Sequence, residues 1–410
     1  MFYIEDKFAR KGCMMIPRKM EKALLQRAKF YPAVFVTGPR QSGKTTLLKH
    51  SFPEHKFVTL EDPDLRDYAT NDPRGFLNSL GEKAIIDEAQ NVPEIFSYLQ
   101  GMIDSSSGAG RYILSGSQNF LLMERISQTL AGRVGILNLL PFSYAEISTA
   151  TALTAKTNDW IFTGSYPRIY DQNIDPRIYY SDYTSTYVER DVRTLKSIVD
   201  ANTFMRFIRL CAGRIGQLVN YSKLASDAGI TSATARSWLS ILEASYIAYF
   251  VQPYYKSTNR RLIKAPKLYF TDTGLACYLL SIRDSSQLDL HYLRGSLFEN
   301  MVMNEYIKSQ YNLGAQPNLY FWRDSNNTEV DMLFEEDGKI ILAEIKASET
   351  LHNRSFRALS SVAEHLAVNS DNRFVVYDGL YHLSGKSGIV FPWRDFSGKF
   401  NSGDMANALR

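Results

Sequence analysis

The segment Gly38-Pro39-Arg40-Gln41-Ser42-Gly43-Lys44-Thr45 sets two glycines, a lysine and a hydroxyl at GxxxxGKT spacing, the pattern that holds a nucleotide polyphosphate. The glycines let backbone N–H groups curl around a phosphate at a helix N-terminus. Lys44 then spans the β- and γ-phosphates, and the Thr45 hydroxyl, followed by Thr46, ligates magnesium. Further on, the apolar run from Lys83 ends in Asp87 and Glu88. Paired acids at a strand end suit hydrolysis of a bound nucleotide's phosphate: Asp87 organises the magnesium and Glu88 polarises the attacking water. A third run, Tyr112 to Gln118, ends in small polar groups. Ser117 or Gln118 is expected to sense the γ-phosphate from a strand lying between two acid-bearing strands.

A second constellation lies near the C-terminus. Two strands, Glu329-Val330-Asp331 onward and Ile340 to Lys346, joined by a polar turn, would place Asp331 opposite Glu344, with Lys346 on the same face as Glu344. Acids that hold one or two magnesium ions, beside a lysine that orients or deprotonates water, are what metal-assisted phosphodiester cleavage requires.

Between the two, residues 218–255 read as a short helix, a glycine turn, a second helix capped at Thr231 or Ser232, and an apolar strand. That is winged helix-turn-helix order, with Ser232, Thr234, Arg236 and Ser237 on the reading helix. Lys256, Arg260, Arg261, Lys264 and Lys267 follow with no acid among them, a wing suited to phosphates of DNA.

The elements that must position these groups indicate an α/β protein. The runs AVFVTG, KFVTLE, KAIIDEA and RYILSGS read as buried parallel strands, with amphipathic helices such as Met20 to Phe30 and Ile95 to Ile103 between them. Tyrosine-rich helical segments follow. The final part combines a long helix (Leu293 to Tyr311), the runs LYFWR, EVDMLFEE and KIILAEIKA, a helix around Phe356 to Val368, and RFVVYD. We expect domains at 15–150, 151–280 and 281–400.

The 410 residues, 45% hydrophobic and 22% charged, exclude disordered and collagenous classes. No apolar run is long enough to span a bilayer, and the start MFYIEDKFARKGC carries acids where a signal peptide is apolar, so a cytoplasmic protein without a membrane partner is expected. Cys13, Cys211 and Cys277 are too few and too scattered for a disulfide framework or a CxxC zinc site. A net charge of +4 decides nothing about partners.

GPRQSGKTT, DEAQ, LSGSQ and the Leu130-Ala131-Gly132-Arg133 segment together resemble a prokaryotic family of AAA-type P-loop ATPases. That resemblance implies a P-loop NTPase domain using ATP and Mg2+. It also implies an arginine, Arg133, that meets the γ-phosphate in cis or from a neighbouring subunit of a homo-oligomer. Family members share the segments Gly164-Ser165-Tyr166-Pro167 and Tyr187-Val188-Glu189-Arg190-Asp191, where Arg190 and Arg193 either contact nucleotide or pair with acids on their own helix. They also share Lys267 to Gly274. The last part resembles PD-(D/E)xK restriction-endonuclease-like nucleases, with Asp331, Glu344 and Lys346 as core motif and Glu299 matching the acid often added; Val330 stands where the proline would be. The expectation is an ATPase acting on DNA with a nuclease-like C-terminal unit. The alternatives are a nucleotide switch for a protein partner, or a DNA-binding regulator, each with an inactive nuclease-like scaffold.

Overall fold

The computed structural model describes residues 15–105, 108–117, 129–150, 156–187, 200–254, 264–336, 338–351 and 353–400. Cys13, Gln118, the 188–193 segment with Arg190 and Arg193, and the basic residues Lys256, Arg260 and Arg261 lie outside them.

The first unit runs α1 (Glu21–Phe30), β1 (Ala33–Thr37), α2 (Lys44–Ser51), β2 (Lys56–Thr59), α3 (Pro63–Asn71), α4 (Pro73–Ser79), β3 (Ala84–Asp87), α5 (Ile95–Asp104), β4 (Tyr112–Gly116) and β5 (Val134–Asn138). Its strands form one parallel sheet in the order β2-β3-β4-β1-β5. β1, β3 and β4 are buried along their whole length, because helices cover both faces. Phe35, Ile86 and Leu114 point to one side, against Phe76 and Leu99. Val34, Val36, Ile85 and Ile113 point to the other, against Leu24, Leu47 and Leu48. This two-sided burial explains why the strands read as unbroken apolar runs. β4 does not lie between two acid-bearing strands: it lies between β1, which leads into the phosphate loop, and β3, which ends in the acids.

Helices follow: α6 (Tyr144–Ala150), α7 (Thr157–Thr163), α8 (Pro167–Asp171), α9 (Pro176–Tyr187), α10 (Ala201–Ala212), α11 (Tyr221–Ala228) and α12 (Ser232–Ala244). Their starts are written in the chain. Asp200 accepts from Asn202 N, Asn220 from Lys223 N, and Thr231 from Thr234 N, each satisfying an orphan N–H of a first turn. Gly229, at φ +72°, ends α11 in the left-handed region and so sets the turn between α11 and α12.

The remaining elements are β6 (Ala248–Pro253), β7 (Lys267–Phe270), α13 (Thr273–Leu279), α14 (Arg294–Asn312), β8 (Leu319–Arg323), β9 (Glu329–Glu336), β10 (Lys339–Lys346), α15 (Arg357–Leu366), β11 (Arg373–Tyr377), β12 (Leu383–Gly385), β13 (Gly388–Pro392) and α16 (Trp393–Phe400). They build an eight-stranded mixed sheet ordered β12-β13-β11-β10-β9-β8-β6-β7. β6 pairs antiparallel with β7 and parallel with β8, so this sheet crosses the boundary expected at 280. No long apolar run announces that crossing, since β6 and β8 share only the pairs Gln252 with Tyr320 and Pro253 with Phe321. Among the described residues no helix is long and apolar enough to cross a membrane. Cys211 and Cys277 are buried free thiols.

Candidate nucleotide site and a C-terminal acid cluster

The phosphate loop leaves the C-terminal end of β1 and enters α2. Gly38 has φ +149°, and a Cβ there would lie 2.1 Å from the Leu139 carbonyl oxygen, so backbone proximity alone demands glycine. Gly43, at φ +91°, turns the chain into the helix, and Gln41 adopts φ 59° without being glycine, a costly conformation of the kind that collects at ligand sites. Lys44 is buried and curls back into the loop, donating to Gly38 O at 3.0 Å and Pro39 O at 2.8 Å. Burial pulls its ammonium down to about 8, against the pull of Glu88 and Asp87. Pro39 and Ser42 are buried, Arg40 is half-buried, and Thr46 is exposed beside the half-buried Thr45.

Thr45 Oγ1 donates to Asp87 Oδ2 at 2.9 Å, and Ser115 on β4 donates to Asp87 Oδ1. The hydroxyl and carboxylate form a hard-oxygen pair at the mouth of the loop, a donor set that fits magnesium. The buried Ser42 Oγ has no hydrogen-bond partner, which leaves a polar atom of the loop unspent. Glu88 sits in the left-handed region (φ 53°, ψ 42°) and therefore breaks away from β3. Gln90 holds it: its Nε2 donates to Glu88 Oε2 and, at 3.1 Å, to Ser117 Oγ. A Cβ on Gly116 would come within 2.4 Å of Gln90 Oε1, so Gly116 makes room for this clamp. The residue pattern places Glu88 and Ser117, while Gln90 lies inside DEAQ unnoticed as a functional group.

Arg18 is a second residue the motifs do not reveal. Buried ahead of α1, it donates to Ser42 O and Leu140 O, each at 2.6 Å, and to Glu146 Oε1 at 3.1 Å. Glu146 Oε2 in turn accepts from Ser143 N at 2.8 Å. The neighbouring Tyr144 N donates to Glu305 Oε2 on α14 at 2.9 Å, and Lys308 on the same helix donates to Phe142 O and Ser165 Oγ. Ser165, from the shared Gly164 segment, donates to Asp272, the cap of α13. These polar contacts join the phosphate loop to α14 through buried groups. Burial pushes the Glu305 carboxyl up to about 7, with Lys308 opposing.

Arg133 stands apart from the phosphate loop of its own chain. The register pairs Ala33 with Val134 and Thr37 with Asn138, so Arg133 stands at the N-terminal end of β5 while the loop leaves the C-terminal end of β1. Those ends are separated by about 16 Å at ~3.3 Å per residue. Arg133 pairs instead with Asp104, at 2.5 and 2.9 Å. Within its own chain it faces Asp104 and not the loop.

In the C-terminal sheet, β9 and β10 pair antiparallel, and Asp331 Oδ2 accepts from Ile345 N at 2.9 Å. Lys346 donates to Glu344 Oε1 on the same strand, and Glu299 reaches the cluster from α14. The unexpected member is Lys267. Expected in a phosphate-gripping wing, it is a buried residue of β7, 2% exposed. Its Nζ lies 2.6 Å from Glu329 Oε1, 3.1 Å from Glu299 Oε1 and 3.9 Å from Asp331 Oδ1. Tyr269, two residues on, also donates to Glu299 Oε1. Burial would lower the Lys267 ammonium, but Glu299, Asp331 and Glu329 carry it above its ordinary value. Burial raises both Glu299 and Glu344, helped by Asp331. Among the described residues no group of three or more His, Cys, Asp or Glu side chains is disposed to hold a metal ion. Asp331, Glu344 and Glu299 come together in one cluster, and the Lys267 ammonium stands among them.

On α12, Ser232, Arg236 and Ser237 are exposed and Thr234 half-buried, while Ala235, Trp238, Leu239 and Leu242 face the core. The Arg236 guanidinium lies over the Tyr221 ring at 4.2 Å. Lys264, just before β7, is exposed.

Against known families, residues 31–148 match an AAA domain, residues 154–286 a domain of unknown function (DUF8612), and residues 294–396 another (DUF4143). The uncharacterized proteins Mb2031c of Mycobacterium bovis and Rv2008c of Mycobacterium tuberculosis are each 31% identical over 347 residues, which cover 83% of this chain and 76% of theirs. Among solved structures, the Walker-type ATPase paby2304 of Pyrococcus abyssi aligns over 65% of this chain and 96% of its own, at 15% identity and a TM-score of 0.43. AMPPCP-bound DnaA from Aquifex aeolicus aligns over 55% of this chain and 85% of its own, at 11% identity and a TM-score of 0.26. The chain belongs to the same family as the two mycobacterial proteins, and its phosphate-binding unit is an AAA-type P-loop domain.

Proposed function

We propose that the protein is a magnesium-dependent ATPase that acts on DNA. The observation that carries the ATPase reading is the 2.9 Å Thr45–Asp87 hydrogen bond at the mouth of the loop, with Glu88 next in the chain. Bound magnesium would neutralise charge on the phosphates, and Thr45 and Asp87 are the residues to hold it. Lys44 would exchange the Gly38 and Pro39 carbonyls for phosphate oxygens. Glu88, oriented by Gln90, would take the proton of the attacking water at its carboxylate, and Ser117 would lie beside the same water.

Support for DNA comes from α10, α11 and α12 followed by the antiparallel pair β6 and β7, which is winged-helix order, and from the exposed Arg236 on the second helix of the pair. The order α14, β8, β9, β10, α15, β11, carrying Glu299, Asp331, Glu344 and Lys346, supports a nuclease-like end unit. Lys267 among those acids favours the second reading, a nucleotide-driven DNA-binding protein whose end unit does not cut. Turnover of ATP with and without duplex DNA, for the parent and Arg236→Ala, tests the proposal. The expected result is DNA-altered turnover and salt-dependent affinity that Arg236→Ala weakens, with a salt slope smaller by about 0.9 per lost phosphate contact. Absence of ATP turnover, or turnover indifferent to DNA with no salt-dependent binding, would sink it.

A further inference from the structure

Four carboxylates converge in the C-terminal sheet: Glu299 from α14, Glu329 and Asp331 from β9, and Glu344 from β10. Lys267 takes Glu299 Oε1 and Glu329 Oε1 and stands 3.9 Å from Asp331 Oδ1. Asp331 Oδ2 receives the Ile345 amide, Glu329 Oε2 pairs with Arg323 at 2.9 Å, and Glu344 Oε1 pairs with Lys346. Glu344 Oε2 is a buried oxygen without a hydrogen-bond partner. Lys267 arrives from the far edge of the sheet, beyond β8 and β6, its ammonium 5.4 Å from the centre of the Phe321 ring.

A hard divalent ion needs several carboxylate lone pairs turned toward one point and no competing positive charge there. Here three of the four acids already face an ammonium sealed from water, where screening is weak and repulsion of a second cation is strong. We propose that Lys267 is the built-in cation of this cluster and that it excludes divalent metal while its side chain stays in place. Removing the ammonium would free Glu329 Oε1 and Asp331 Oδ1 and leave Glu299 Oε1 with the Tyr269 hydroxyl alone, in one cluster with the unpartnered Glu344 Oε2, an all-oxygen set suited to magnesium or manganese.

The inference rests on the nuclease-like reading only for the choice of ion. Its test is Mn2+ binding to the nucleotide-free full chain, followed by the electron paramagnetic resonance signal of free Mn2+, in the parent, Asp331→Asn, Lys267→Met and Lys267→Met/Asp331→Asn. The expected result is no Asp331-dependent Mn2+ binding in the parent. Lys267→Met should gain a site at least about tenfold tighter, which Asp331→Asn removes again. A folded Lys267→Met chain that gains no such site overturns the proposal; if that variant does not fold, Lys267→Gln takes its place. The parent also decides alone: Mn2+ binding, or magnesium-dependent DNA cleavage, that Asp331→Asn abolishes in the unaltered chain would overturn the exclusion while supporting a nuclease. Mn2+ binding by Lys267→Met without cleavage leaves the exclusion standing and defeats the nuclease.

Discussion

Thr45 and Asp87 meet at 2.9 Å, hydroxyl to carboxylate, although one opens a helix and the other closes a strand two places away in the sheet. The contact depends on β4 lying between β1 and β3, since Ser115 on β4 fixes the other Asp87 oxygen. Whatever shifts these strands in register shifts the hydroxyl away from the carboxylate.

Lys44→Ala removes the ammonium that reaches phosphate and should weaken ATP binding by about 10- to 100-fold, the worth of one or more charge-assisted hydrogen bonds. In the unaltered chain the ammonium is held at about 8, so nucleotide affinity should fall as pH rises through that value. The depressed value works the other way on folding. The unfolded chain binds the Lys44 proton more tightly, so this group makes stability rise with pH from about 8 to 10.5. Fluorescent nucleotide titrations across pH 7 to 9.5 check the first statement; affinity flat over that range would contradict it.

Glu88→Gln should retain nucleotide binding and lower kcat by about 10²- to 10⁴-fold, the contribution of a general base. Gln90→Ala leaves the carboxylate but removes the group that aims it. A fall of about 10- to 100-fold in kcat with unchanged KM is expected, and single-turnover phosphate release would measure it. If Gln90→Ala matches the parent, the clamp has no part in turnover.

Arg18→Met leaves Glu146 buried without its counter-charge and should cost about 3–5 kcal/mol in urea unfolding. It also frees the Ser42 carbonyl, so nucleotide affinity should drop in conditions where the variant is still folded. A loss of stability with affinity intact would assign Arg18 to the fold alone.

Arg133→Ala should leave turnover per chain unchanged at high dilution, because Arg133 sits at the wrong end of the sheet for its own loop. Turnover measured against protein concentration separates the alternatives. A deficit that appears only where chains associate would give the arginine to a neighbour's phosphates.

The nucleotide site was readable in the chain because its parts are local: the loop spans consecutive residues, and each acid or hydroxyl ends an apolar run that can only be a buried strand. Arg18 was not readable, because what makes it matter is Glu146 and the Leu140 carbonyl, contacts created by the fold alone. Arg133 misled for a related reason, since a motif gives order along the chain but not which end of a strand a residue occupies. Asp331, Glu344 and Lys346 follow from the alternation of a hairpin, with Glu299 carried in by the preceding helix. Lys267 escaped because a lysine leading into LYF after a basic stretch looks like solvent-facing charge. The pairing of β7 with β6, and of β6 with β8, carries it into the interior.

That pairing also bears on how the chain can be divided. The regions matched as separate domains, 154–286 and 294–396, each own part of one continuous sheet. A fragment beginning at 294 would keep β8 but lose β6, leaving a row of backbone amides and carbonyls open along β8, the kind of raw edge on which chains stack into insoluble ribbons. It would also strip Lys267 from four carboxylates crowded into one interior. Such a fragment is a poor stand-in for the C-terminal unit, and any metal it bound would report the cut rather than the protein.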